Sequence, residues 1–229
     1  MKKALITGTS SGIGHSLALA LLNKNYEVFG ISRTASDIKH QNFREILLDL
    51  CDMENTVSTI ETKFSDTDFD ILINNAGVGY YGLHMNLSSK MIHEMVTINL
   101  EIPMILSSLL LPGLIRTKGC IVNISSYTAK QNTNTHGVAY GATKAGLSSF
   151  GTNLFSEIRK HNVRVINIQP EMTITGLYRN ADFEASTEEG CALTPEMVTD
   201  AVCYAIDAPA SACIREITLT PQLNRIKRK

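Results

Sequence analysis

Tyr140 and Lys144 stand four residues apart in a stretch with helical periodicity, so both side chains share one face, one turn apart. A phenol beside an ammonium ionises more readily and can serve as a proton donor at moderate pH. The pairing alone is commonplace. It gains weight because the preceding run, CIVNIS at 120–125, reads as a strand that brings Ser125 and Ser126 to the carboxyl edge, where open α/β sheets bind ligands. A second cluster opens the chain: ALIT runs into Gly8, Thr9, Ser10, Ser11, Gly12, Ile13 and Gly14, followed by an amphipathic stretch. Glycines let the backbone approach a phosphate, and a helix N-terminus offers free N–H groups and partial positive charge. The spacing is Gly-x-x-x-Gly-x-Gly rather than the commoner Gly-x-Gly-x-x-Gly, but its place between strand and helix fits a dinucleotide turn.

The end of the second strand addresses the choice of cofactor. An NAD site places an acid there for the ribose 2′-hydroxyl, whereas this chain has Ser32, Arg33 and Thr34. An arginine at that point can meet a 2′-phosphate and stack on adenine, so the expected cofactor is NADP(H). Glu27 falls too early and Asp37 too late to act as the missing acid.

The elements that must position these groups follow a regular pattern. Strands are expected at 3–7, 27–32, 44–49, 71–74, 120–125, 164–169 and 216–220, and helices at 13–23, 53–64, 88–111, 138–161 and 196–207. Apolar strands each followed by a helix imply a doubly wound parallel sheet of Rossmann type with helices on both faces, an α/β fold. The 229 residues suit one domain, 1–229, and the irregular stretch 171–194 is expected to be a substrate lid. Hydrophobic residues make up 44% and charged residues 19%, which excludes a disordered chain, and a net charge of −1 gives no footprint for nucleic acid. The longest apolar run, 104–115, falls short of the roughly 20 residues of a membrane span, and the run after MKK is too short for a signal core. Five cysteines, with no CxxC pair, suit a reducing cytoplasm and argue against a zinc site.

Taken together, these motifs resemble the short-chain dehydrogenase/reductase family over nearly the whole chain. Thr7 to Gly14 fits the family's cofactor turn, Asp49-Leu50 its adenine-contacting pair, and Asn74-Asn75-Ala76-Gly77 its fourth-strand signature. The resemblance implies that Asn99, Ser126, Tyr140 and Lys144 are the catalytic group, with Asn99 positioning a water that links Lys144 to solvent. It also assigns Lys144 to the nicotinamide ribose and places Pro170, Thr173 and Thr175 beside the nicotinamide. Glu171 follows Pro170 where the family usually has glycine, and no glycine-rich ending is present.

The function implied is reduction of a ketone or aldehyde to an alcohol by hydride transfer, with Tyr140 as general acid. A non-catalytic NADP-binding regulator on the same fold is the alternative. The sequence Gly79-Tyr80-Tyr81-Gly82-Leu83 is read as the wall of an aromatic pocket, and the basic tail 225–229 as a frayed end. Surplus apolar positions at Leu106, Leu109, Leu110, Leu147, Phe150, Leu154 and Phe155 lead to an expected homodimer or homotetramer.

Overall fold

The computed structural model describes residues 1–131, 136–223 and 225–229. Its strands begin with β1 (Lys3–Thr7), β2 (Glu27–Ser32) and β3 (Phe43–Leu47), and continue with β4 (Ile71–Asn74) and β5 (Cys120–Ile124). The remaining strands are β6 (Arg164–Pro170), β7 (Phe183–Ala185), β8 (Glu216–Leu219) and β9 (Ile226–Arg228). Seven of these form one parallel sheet in the order β3-β2-β1-β4-β5-β6-β8. The order reverses direction between β1 and β4, and this switch point leaves a crevice beyond the strands' carboxyl ends.

Helices cover both faces, each through its own apolar stripe. On one side α1 (Gly12–Asn23) and α6 (Pro195–Ile206) bury Leu17, Leu21, Val198 and Val202 against β1, β4, β5 and β6. On the other, α2 (Met53–Phe64), α4 (Ile102–Thr117) and α5 (Val138–Ile158) bury Ile60, Phe64, Leu106, Leu110, Phe155 and Ile158. Burying each such side chain contributes about 1.5–3 kcal/mol.

The third strand starts and stops earlier than expected. It ends at Leu47 because Asp49 closes a turn: its carboxylate accepts from the Cys51 N–H at 3.0 Å and its carbonyl from the Asp52 N–H at 3.0 Å. The helix expected at 88–111 is instead α3 (Ser89–Val96), a π-helical turn (Thr97–Glu101) and α4, which continues through Pro112 to Thr117. The whole run Ser89–Thr117 spans 29 residues and is, by length and composition, long and apolar enough to cross a membrane, well beyond the dozen apolar residues the sequence displays. Here its apolar side is used by the core, with Ile102, Leu106, Leu110 and Leu114 buried beside the sheet.

The apolar surplus on α4 and α5 is smaller than the sequence indicates. Leu106, Leu110, Leu147 and Phe155 are buried within this chain, which leaves Leu109, Phe150 and Leu154 half-covered. The tail departs further. Instead of fraying, β9 pairs antiparallel with β7, so residues 226–228 are laced to the irregular segment 171–194. That segment is itself pinned at its base, where Leu193 N–H donates to the Met172 carbonyl at 2.8 Å and Ile174 N–H to the Leu193 carbonyl at 2.9 Å.

Candidate active site

The turn after β1 is built from close backbone approaches. Gly8 and Gly12 adopt φ of +78° and +60°, the left-handed region that glycine enters without strain. A methyl group on Gly14 would run into the Gly8 carbonyl oxygen, so α1 can press against the turn only with glycine there. Ser11 precedes the helix in an extended conformation without a side-chain cap, which leaves first-turn N–H groups for an anion. The end of β4 fixes the turn from the side: Asn75 Nδ2 donates to the Thr7 carbonyl at 2.8 Å and the Gly8 carbonyl at 3.2 Å. Thr7 Oγ1 accepts from the Asn75 and Ala76 N–H groups, both at 3.0 Å.

A cleft of about 350 Å³ runs from this turn along the switch point to Tyr140. Gly8, Ser10, Ser11, Gly12, Ile13, Ser32, Arg33, Thr34, Asp49, Leu50, Asn75, Ala76 and Gly77 line its first part. Pro170, Thr173 and Thr175 line its far wall, while Gly14 lies beneath it. Thr175 reaches across to the phosphate turn: its methyl would be 3.2 Å from a side chain added to Gly12. Thr173 is buried and spends its hydroxyl on the Glu171 carbonyl at 2.9 Å. Ser32 donates to the Thr34 carbonyl at 2.8 Å and thereby shapes the loop that carries Arg33. The Arg33 guanidinium is half-exposed, 3.7 Å from a Glu94 carboxylate oxygen. Glu94 also accepts from the Tyr80 hydroxyl at 2.6 Å. Neither Glu94 nor this pairing is apparent in the sequence, since Glu94 lies on α3, 61 positions beyond Arg33.

The reactive end is assembled by β5 and α5. Ser125 turns inward and ties β5 to α5, donating to the Lys144 carbonyl at 2.9 Å and pairing with Ser148 Oγ at 2.8 Å. Ser126 therefore faces the cleft, where its hydroxyl favours ionisation of the Tyr140 phenol and its Oγ accepts from the Thr128 N–H at 3.2 Å. A second hydroxyl, from Tyr81, acts on the Tyr140 phenol in the same sense, with the two ring centroids 5.4 Å apart. The sequence marks Tyr81 only as a pocket wall. Its phenol folds back over Gly79, where a side chain would lie 2.9 Å from the Tyr81 oxygen, so Gly79 is the local signal for this placement.

One expectation about this group needs correction. Lys144 is not what acidifies Tyr140. Its ammonium donates to the Ile124 carbonyl at 2.8 Å and lies 5.9 Å from the Tyr140 ring centroid. Burial pushes the Tyr140 phenol up to about 12 against the pull of the Ser126 and Tyr81 hydroxyls, and burial brings Lys144 down to about 8. At neutral pH the phenol keeps its proton and the lysine keeps its charge. Asn99 spends its side-chain amide on the protein. Its Oδ1 accepts from the Val78 N–H and its Nδ2 donates to the Val78 carbonyl, both at 2.9 Å, with a further bond to Thr143 Oγ1 at 3.1 Å. The π turn that displaces the helix at 97–101 is what aims Asn99 at residue 78.

Beneath these groups lies a buried amide ladder that spacing along the chain does not reveal. Asn74, Asn123 and Asn167 are register neighbours on β4, β5 and β6, linked from Asn74 Nδ2 to Asn123 Oδ1 at 2.9 Å and from Asn123 Nδ2 to Asn167 Oδ1 at 3.1 Å. Asn167 Nδ2 then donates to the Ser148 carbonyl of α5 at 2.9 Å. Gly151 permits this contact, since any side chain there would strike the Asn167 and Asn123 amides.

Comparison with known proteins agrees with this geometry. The family profile described as short chain dehydrogenase matches residues 2–185. An NADP-dependent 3-hydroxy acid dehydrogenase of Salmonella typhi is 28% identical, over 95% of this chain and 94% of its own. Among solved structures, an alcohol dehydrogenase of Thermococcus sibiricus complexed with 5-hydroxy-NADP superposes with a TM-score of 0.84, at 25% identity and 98% coverage of both chains. A 4-hydroxyisoleucine dehydrogenase complexed with NADH shares the fold, with a TM-score of 0.81 at 24% identity over 96% of this chain and 97% of its own.

Proposed function

The chain belongs to the short-chain dehydrogenase family, and from that premise we propose that it is an NADP(H)-dependent oxidoreductase that reduces a ketone or aldehyde to an alcohol. The observation that carries this reading is the meeting of Ser126, a protonated Tyr140 and Lys144 at the end of a cleft that starts at an uncapped helix N-terminus behind three glycines.

The cleft fits a dinucleotide. The left-handed turn at Gly8 and Gly12 and the free first-turn N–H groups of α1 would hold the pyrophosphate, and Asp49 and Leu50 would border the adenine. Arg33 would meet a 2′-phosphate by leaving Glu94. The half-exposed pair they form contributes about 0–1 kcal/mol, whereas a charge-assisted phosphate contact contributes about 1.5–3 kcal/mol, so the exchange favours the phosphate. When bound, the reduced nicotinamide supplies a hydride. Tyr140 donates its proton to the substrate oxygen as charge develops there, and Ser126 donates a hydrogen bond to the same oxygen. Tyr81, packed against the Tyr140 ring, would help stabilise the phenolate left behind. Lys144 is the cation that would hold the nicotinamide ribose, while Asn99 keeps residue 78 and α5 in place around it. The segment 171–194, clasped by β9, acts as the lid of a single domain spanning 1–229.

Two finer readings complete the proposal. The half-covered Leu109, Phe150 and Leu154, with exposed Met104, form the face through which the chain would pair as a homodimer or homotetramer, and a light-scattering mass near 25 kDa would refute it. Five free thiols fit a reducing cytoplasmic compartment. The decisive test titrates NADPH and NADH and then follows NADPH absorbance with a panel of aldehydes and ketones. Equal affinity for both cofactors would remove the NADP preference. Tight NADPH binding without reduction of any carbonyl would instead favour the non-catalytic reading.

A further inference from the structure

The segment 171–194 also reaches the cofactor cleft, through a short helical turn, Gly176–Asn180. Thr175 caps this turn by accepting from the Leu177 N–H at 3.3 Å, and its methyl stands 3.2 Å from where a side chain on Gly12 would begin. At the other end the Lys229 ammonium donates to the Tyr178 carbonyl at 2.9 Å and the Ala181 carbonyl at 3.1 Å. Arg179 folds back along the turn, its guanidinium donating to the Gly176 carbonyl at 3.2 Å. The side chain of this exposed residue therefore ends next to Thr175, where the lid meets the phosphate turn, and Arg179 lines the cleft.

The phosphate turn brings no cation of its own. From Thr7 to Gly14 it contains no lysine or arginine, and His15, the next residue, is paired with Asp37 at 2.7 Å. Among the described residues three cations line the cleft: Arg33, Lys144 and Arg179. Lys144 is buried at the reactive end, on the Ile124 carbonyl, and Arg33 sits at the end of β2 against Glu94. Arg179 is bonded to a carbonyl rather than to a carboxylate. A guanidinium has five donors in a fixed fork, so one carbonyl leaves donors for an oxyanion. The Arg179 charge is felt across the cleft as well: the Tyr80 phenol, pushed up by its hydrogen bond to Glu94, is drawn back by Arg179 and by Arg33.

We propose that Arg179 is a cofactor-binding residue carried by the lid, a cation that takes the pyrophosphate at the mouth of the turn. The inference rests on the dinucleotide reading given above. It assigns the two arginines different work. The pyrophosphate is common to NADPH and NADH, so Arg179 strengthens both alike, whereas Arg33 distinguishes them by the 2′-phosphate. A charge-assisted bond from the lid to bound cofactor also favours the closed lid, because it forms only when the segment lies over the cleft.

Calorimetric titration of the whole chain with NADPH, NADH, ADP and adenosine 2′-monophosphate tests it. In Arg179→Gln the first three should bind about tenfold more weakly, by one common factor. Adenosine 2′-monophosphate, which lacks a pyrophosphate, should bind as before and so reports that the variant is folded. Unchanged NADH and ADP affinities, or a loss that extends to adenosine 2′-monophosphate, would overturn this inference while leaving the reductase reading intact. If the unmutated chain binds none of the four, the dinucleotide reading fails and this inference falls with it.

Discussion

The cofactor end and the lid end of this molecule are held together by different physics. Around the turn at 8–14, position is fixed by backbone that cannot move: a side chain on Gly14 strikes the Gly8 carbonyl, and Asn75 bonds two successive carbonyls of the turn. The strands beside it, β1 and β4, have their apolar side chains buried. The lid is held instead by a three-residue antiparallel pairing, a triangle of rings, and exposed ion pairs such as Lys227 with Glu184 and Arg225 with Glu188. Exposed pairs contribute little and are screened by salt. The phosphate turn is therefore rigid, whereas the segment 171–194 can open at low cost. Such a division suits an enzyme that binds its cofactor first and must admit and release a second molecule in each turnover.

The largest expected effect tests the rigid side. Tyr140→Phe retains a buried ring and leaves the phosphate turn untouched, so NADPH should bind as before while turnover falls by roughly 10²–10⁴-fold. Near-normal activity in this variant would show that the proton comes from elsewhere. Arg33→Asp should weaken NADPH by about ten- to a hundredfold and leave NADH nearly unchanged, as direct titration would reveal.

A pH profile probes the same side at lower cost to the protein. Lys144 stands near 8 in the folded chain, below its ordinary value of 10.5, whereas Tyr140 near 12 titrates outside the useful range. Reductive kcat/KM should therefore decline as pH rises through about 8, as the lysine loses its proton. A flat profile to pH 10 would mean that the Lys144 charge plays no part. The sign for stability is opposite. Between about pH 8 and 10.5 the unfolded chain holds a proton on this lysine that the folded chain lacks, so its contribution to stability rises with pH across that window.

The smallest effect concerns the lid. Lys227→Ala should leave the melting temperature unchanged within error, because the pair it breaks is exposed. Hydrogen exchange would separate the two regions directly: amides of β7 and β9 should exchange orders of magnitude faster than those of β1 and β4. Equal protection would abolish the distinction drawn above.

Much of the rigid side was legible in the chain. The limits of β1, β2 and β4 follow from apolar runs bounded by glycine, asparagine and polar turns, and α2 is bounded as its pattern implies. The phosphate turn was legible because the constraint is local: the eight residues from Thr7 to Gly14 contain the strand end, the glycines and the helix start. Tyr140 and Lys144 were legible for the same reason, being one helical turn apart. The lid was not. β7 and β9 are three residues each, too short for a periodicity to register, and they are 43 positions apart at their starts. A run of basic residues at 225–229 looks the same in sequence whether it frays or pairs.

The sequence by itself determined the parallel sheet, the glycine turn and the identities of the reactive side chains, because each is encoded by neighbours within a turn or a strand. Only the tertiary structure decided how those side chains behave. It turned Ser125 inward and Ser126 outward, packed Tyr81 against the Tyr140 ring, sent the Lys144 ammonium to the Ile124 carbonyl, and placed Glu94 against Arg33. It also joined Asn74, Asn123 and Asn167 into one ladder under α5. Each of these depends on burial and on contacts between distant segments. A residue's charge state and hydrogen-bond partner are set by what surrounds it in space, which spacing along the chain does not specify.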